Sequence, residues 1–164
     1  MSTEELLSTR DGAVLHLQLN RPDKGNALSA SLVNALGEAV QTAAQDSTLR
    51  LLMLSGAGRH FCTGFDLSNL ESETDDSLLA RFTRVELMLQ AVHAAPFTTL
   101  ALAKGRTMGA GADLFAACDL RYATAQVSRI DRRPQGPVYG NPAAQTPTVN
   151  TGAGGWSQQP AQTQ

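Results

Sequence analysis

Cysteine is nearly absent: Cys62 and Cys118 are the only two in 164 residues. Their separation fits neither a Cys-x-x-Cys pair nor a Cys/His ligand pattern, which argues against a metal site and against a disulfide framework. Both read as small apolar side chains in a reducing, cytoplasmic setting. His60 stands near Cys62, but a reactive Cys62 is not the expected reading. A basic excess is missing as well, with 13 Lys+Arg against 15 Asp+Glu. A chain with no basic stripe is not built for nucleic acid. No apolar run approaches the length of a membrane span, and the opening "MSTEELLSTR" is acidic where a secretory signal would be basic and then apolar. No membrane partner is expected.

A further lack divides the chain. Residues 127–164 contain no Leu, Met or Phe, yet hold five of the seven Pro, five Gly and six Gln. That stretch has too little apolar surface to offset the entropy of ordering it, so the sequence predicts a folded part over 1–126 and a disordered tail over 127–164. Arg129, Arg132 and Arg133 in the tail read as solvated charges rather than as a phosphate site.

What is there is a succession of strand, turn and helix. Ala13 to Leu19 alternates, with Leu15, Leu17 and Leu19 on one face and Val14, His16 and Gln18 on the other, and His16 is read as structural. After the turn residues of "NRPDKGNALS", Ser29 can cap a helix carrying Leu32, Val33, Leu36, Val40, Ala43 and Ala44, which should end near Asp46. Leu49 to Leu54 is almost wholly apolar and predicts a strand covered on both faces. A second helix should start near Asp75, with Leu78, Leu79, Phe82, Val85, Leu89 and Val92 inward and Arg81, Arg84 and Glu86 outward. Pro96 stops it, and "FTTLALA" reads as the next strand.

Two glycine-bearing loops, 56–64 and 105–111, each follow a buried strand, and the second opens onto a helix over 110–118. In open α/β folds ligands bind at such strand ends, where small residues let backbone approach a ligand and a helix's first N–H groups favour a negative oxygen. "GRTMGAG" is neither a P-loop nor a full G-x-G-x-x-G. Alone, it reads equally well as a tight turn that allows close helix packing.

Three blocks taken together carry more. "LNRPDKGNAL", "GAGRHFCTGFDL" and "KGRTMGAGADLFAACDLRYATA", in this order and spacing, resemble the enoyl-CoA hydratase/isomerase (crotonase) superfamily over roughly residues 5–126. The resemblance implies an α/β fold, a spiral of β-β-α units, and an acyl-CoA thioester as substrate, with coenzyme A entering only as part of it. It implies an assembly of trimers or hexamers. It further implies that the N–H groups of Phe65 and Ala110 form an oxyanion hole for the thioester oxygen, which two fixed donors stabilise as an enolate develops. Asp113 falls where hydratases of this family place a catalytic glutamate, and it is the candidate base; its other reading is a first-turn acid that complements the helix dipole. Asp66 matches an acid of the same loop that holds the turn. Lys24 and Asn26 match the coenzyme A loop, with Arg59 near it, and Cys62, Gly64, Leu67 and Gly109 complete the implied binding set. No metal is implied.

Family members continue well past residue 126, where they supply a second catalytic acid and the far wall of the acyl pocket. None of those motifs appears in 127–164, so the sequence reads as truncated, or as out of frame from near Gln126. Two functions stay open at this point: an enoyl-CoA hydratase or isomerase impaired by the loss, or a non-catalytic fragment or pseudoenzyme that binds coenzyme A or a partner subunit.

Overall fold

A computed structural model describes residues 4–68 and 70–125, together with the backbone pairing of Ile130–Asp131. Apart from that pair, the segment 127–164 and its expected disorder lie outside the described residues. Strand β1 (Leu6–Asp11) turns through Gly12 into an antiparallel β2 (Val14–Leu19), with Leu6 opposite Leu19 and Asp11 opposite Val14. Strands β3 (Leu51–Gly56), β4 (Thr98–Ala103) and β6 (Leu120–Ala123) extend the sheet in parallel, giving the order β1-β2-β3-β4-β6. Parallel neighbours need a crossover, and helices α1 (Ala30–Ala43), α2 (Asp75–His93) and α3 (Ala110–Ala117) supply the three. A short β5 (Thr107–Met108) pairs in parallel with β7 (Ile130–Asp131). The order β1-β2-α1 and β4-β5-α3 is the expected β-β-α succession. In the middle unit the second strand shrinks to isolated bridges, Cys62 to Thr107 and Leu28 to Phe65.

The core lies against one face of the sheet. Leu17, Leu19, Leu52, Leu54, Ala101 and Ala103 meet Leu32, Leu36 and Val40 of α1, Val85, Met88 and Val92 of α2, and Leu114 of α3. Each fully buried leucine among them contributes about 2 kcal/mol. Helix α1 follows its predicted stripe, and Ser29 Oγ accepts from Leu32 N–H at 3.1 Å. The helix stops at Ala43, slightly short of the expected end.

Two expectations need correction. Strand β3 is not covered on both faces: Leu52 and Leu54 are buried while Leu51 and Met53 are half-buried, because the described helices pack on one side only. The opposite face is partly polar, with His16 Nε2 at 2.8 Å from Ser55 Oγ. Helix α2 is turned from its predicted orientation. Arg81, Val85, Met88 and Val92 form its buried stripe, while Leu79 and Phe82 are 66% and 50% exposed. An arginine can take an inward position because the loop beneath it offers a carboxylate, a carbonyl and an aromatic ring. Among the described residues no helix is long and apolar enough to cross a membrane.

Candidate functional site

The loops after β2, β3 and β4 converge because their backbones bond to one another. Asn26 is fully buried, with its backbone in the left-handed region at φ 57°. Its Oδ1 accepts from Arg21 N–H at 2.8 Å, and its Nδ2 donates to the carbonyls of Ala57 and His60 at 2.9 and 2.8 Å. Phe61 N–H donates to Lys104 O at 2.8 Å, and Met108 N–H to Cys62 O at 3.0 Å. The strand-end loops are thereby fixed as one block.

Two backbone donors emerge from it. Leu28 N–H bonds Gly64 O at 2.8 Å and Asp66 N–H bonds Leu28 O at 3.1 Å, so the N–H of Phe65, between them, faces away from Leu28 and has no partner among the described residues. Helix α3 begins at Ala110, whose N–H is likewise unpaired, while Ala112 and Asp113 N–H both use Gly109 O. Gly64 packs the Phe65 segment closely against the start of α3: it adopts φ 104°, and a Cβ there would stand 3.0 Å from Met108 O and 3.6 Å from Ala110 N. Gly111 seats the helix, since a Cβ would lie 2.5 Å from Cys62 O. Small residues before this helix therefore serve the close approach of α3 to the Cys62 segment as much as the approach of any ligand.

Phe65, Ala110 and Asp113 line one cleft of about 730 Å³ with Phe82, Glu86 and Gln90 of α2. A groove of about 800 Å³ between β1 and α1, floored by Leu6, Leu15 and Ala39, is slightly larger. The smaller cleft holds residues of both strand-end loops together with an exposed carboxylate, so it is the candidate site. Asp113 is exposed on the first turn of α3, and its carboxylate has no partner among the described residues. Burial would raise the pKa of Asp66, but hydrogen bonds from Ser68 and the Arg21 guanidinium at 2.8 Å outweigh it and hold the carboxyl below its ordinary value. Asp66 is thus an ionised anchor of the loop. Burial pushes the Cys62 thiol up to about 12. It is a packing residue with no nucleophilic role at neutral pH.

The remaining residues of the implied set separate in space. Gly64 and Gly109 frame the donors; Lys24 and Arg59 are exposed on neighbouring loops; Leu67 is 64% exposed beyond Asp66. The side chain of Asn26 is spent on protein groups. Sequence reasoning missed Arg81, Phe82, Glu86 and Gln90. The signal was present in the spacing of Arg81, Val85, Met88 and Val92, which is itself a helical stripe, but an arginine was placed outside by default. Among the described residues no three His, Cys, Asp or Glu side chains gather as a metal site would require.

Comparison with known proteins defines the class. The model of the enoyl-CoA hydratase/isomerase family matches residues 9–132, and the chain belongs to that family. It is 34% identical over 133 residues to the mitochondrial Delta(3,5)-Delta(2,4)-dienoyl-CoA isomerase of Mus musculus, covering 72% of this chain and 41% of that protein. An enoyl-CoA hydratase of Alternaria alternata is 32% identical over 114 residues, covering 70% of this chain and 37% of its own length. Among solved structures, enoyl-CoA hydratase of Mycobacterium smegmatis superposes with a TM-score of 0.72 at 36% identity, covering 74% of this chain and 48% of the other. The chain spans about two fifths of the length of these curated relatives.

Proposed function

We propose that this chain binds an acyl-CoA thioester and stabilises its enolate between the N–H groups of Phe65 and Ala110, with Asp113 moving a proton at the carbon next to the carbonyl. The observation that carries the reading is the pair of unpartnered backbone donors on segments that pack closely at Gly64, at a cleft that also holds a carboxylate without a partner among the described residues. Losing one such donor costs about 3 to 4 kcal/mol of transition-state stabilisation. Removal of an α-proton, and migration of a double bond through the same enolate, need only one base that can give the proton back. Hydration needs two coordinated proton transfers. Of the two acids at the cleft, Glu86 accepts from Gln90 while Asp113 has no partner among the described residues, which supports proton exchange by one base over hydration for this chain. No cofactor beyond the coenzyme A of the substrate enters the reading, and Lys24 and Arg59 are suited to its phosphates. A trimeric or hexameric assembly and a cytoplasmic setting belong to the same proposal.

The test is α-proton exchange of a saturated acyl-CoA in deuterated water, followed by mass spectrometry. Wild type should exchange and Asp113→Asn should not, while both are stabilised more by acyl-CoA than by free coenzyme A. Binding without exchange supports a non-catalytic thioester binder; no stabilisation by acyl-CoA at millimolar concentration overturns the site itself.

A further inference from the structure

Arg81 is the most buried charged side chain of α2, at 9% exposure, and the site as described gives it no task. Its Nη1 pairs with Glu73, its Nη2 donates to Asp66 O at 2.8 Å, and its guanidinium carbon lies 4.3 Å from the centre of the Phe65 ring. That ring also stacks on Phe82 at 4.6 Å. A leucine or methionine in this position of the buried stripe would avoid the cost of taking a charge out of water. Nε of Arg81 is even left buried without a partner. Besides Glu73, the partners of the arginine are two consecutive residues, through the ring of Phe65 and the carbonyl of Asp66.

Those two residues carry one of the backbone donors. The loop that presents the Phe65 N–H begins at Gly64, whose φ of 104° lies in a region where glycine has little steric restraint of its own. Direction must come from outside, and it comes from both sides. Arg21 holds the Asp66 carboxylate at 2.8 Å and the Ala27 carbonyl at 2.5 Å. Arg81 holds the Asp66 carbonyl and the face of the Phe65 ring. Glu73 in turn orients Arg81 from the start of α2.

We propose that Arg81 is a positioning residue for the oxyanion site, acting through Phe65: its planar fork fixes the Phe65–Asp66 backbone so that the Phe65 N–H stays aimed into the cleft beside that of Ala110. This rests on the enolate reading above. A planar, delocalised cation suits the task because it stacks on a ring and donates in its own plane at once, which a lysine ammonium cannot do. The role is distinct from substrate contact, since Arg81 touches the donor loop and is not among the residues that line the cleft.

The test reads carbonyl polarisation directly. A conjugated aryl enoyl-CoA such as cinnamoyl-CoA absorbs at longer wavelength when its thioester oxygen is held by two donors. Wild type should produce that red shift. Arg81→Met should lose more than half of it and about tenfold of the preference for the thioester over free coenzyme A, a partial form of the loss seen when a donor is removed. Affinity for free coenzyme A should stay unchanged. Arg81→Lys, which keeps the charge, should lose most of the shift as well, and it carries the test if the methionine variant does not fold. Wild-type red shift with a full shift in Arg81→Lys overturns the positioning role and leaves the enolate reading standing. Binding of the probe by wild type without any red shift overturns both.

Discussion

Replacing Asn26 by alanine removes three hydrogen bonds at the point where the strand-end loops meet, and leaves Arg21 N–H, Ala57 O and His60 O without their partner. At about 1 kcal/mol for each group that water can partly recover, the loss is roughly 3 kcal/mol. The backbone adds to it. Asn26 sits at φ 57°, which asparagine tolerates and alanine resists by about 1 kcal/mol. The sum, about 4 kcal/mol, is a large part of the 5–15 kcal/mol that usually holds a domain together. Thermal unfolding followed by circular dichroism should show a midpoint lowered by roughly 10 °C or more. Asn26→Gly relieves the backbone strain and keeps the loss of bonds, so it should recover about 1 kcal/mol of the deficit. A different outcome would refute this reasoning: a variant that melts within about 2 °C of wild type but loses affinity for coenzyme A. Asn26 would then be a ligand contact whose buried bonds matter little.

Three further outcomes are expected. Asp113→Asn should lower α-proton exchange by roughly 10²- to 10⁴-fold, and because Asp113 is exposed the melting temperature should barely move. Burial holds the His16 imidazole below its ordinary pKa, so the unfolded chain takes up a proton that the folded chain refuses; stability is full above the unfolded value of about 6.5 and falls as pH drops below it, and His16→Gln should flatten that dependence in melts from pH 7.5 to 5. Cys62, with its thiol at about 12 and no exposure, should resist iodoacetamide in the folded chain and react once urea unfolds it, as read by mass spectrometry.

Much of the fold was legible because its signals were local. The Ser29 cap, the α1 stripe and the apolar runs of β3 and β4 follow from capping and periodicity, and the structure returns them within a few residues. Strand β1 was not legible from its pattern: of "LLSTRD" only Leu6 is buried, so no alternation marks it, and the Asp11-Gly12 turn was the available hint. β6 was missed for a similar reason, since all four of its residues are exposed. The orientation of α2 failed because periodicity counts apolar residues, whereas what decides the buried face here is an arginine whose partners come from a distant loop. Glu73, Asp66 and Phe65 engage Arg81 in three dimensions, and no local rule could weigh them.

The proposed donors are made from main chain, and that explains which parts of the proposed site the sequence disclosed. A backbone N–H can be supplied by any residue, so Phe65 and Ala110 need no particular side chain. What must be held is the path of the chain: Gly64 where a Cβ would press on Met108 O, and Gly111 where one would strike Cys62 O. Those constraints are written as glycines, which is why the blocks around them were readable. The carboxylates obey the opposite rule. Asp113 and Glu86 reach the same cleft from different helices, and their chemistry depends on side-chain length and on what stands opposite. Glu86 accepts from Gln90 Nε2 at 3.1 Å, one turn along α2, whereas Asp113 has no partner among the described residues. On the proposed reading, an acid free of hydrogen-bond donors is the one available to take a proton from a substrate carbon, so the choice of reaction would rest on Asp113 and the stabilisation of the enolate on the loop geometry. Changing Asp113 to glutamate should therefore alter which carbon is protonated without disturbing the red shift of a bound enoyl-CoA, and loss of that shift in the glutamate variant would show that acid and donors are not separable.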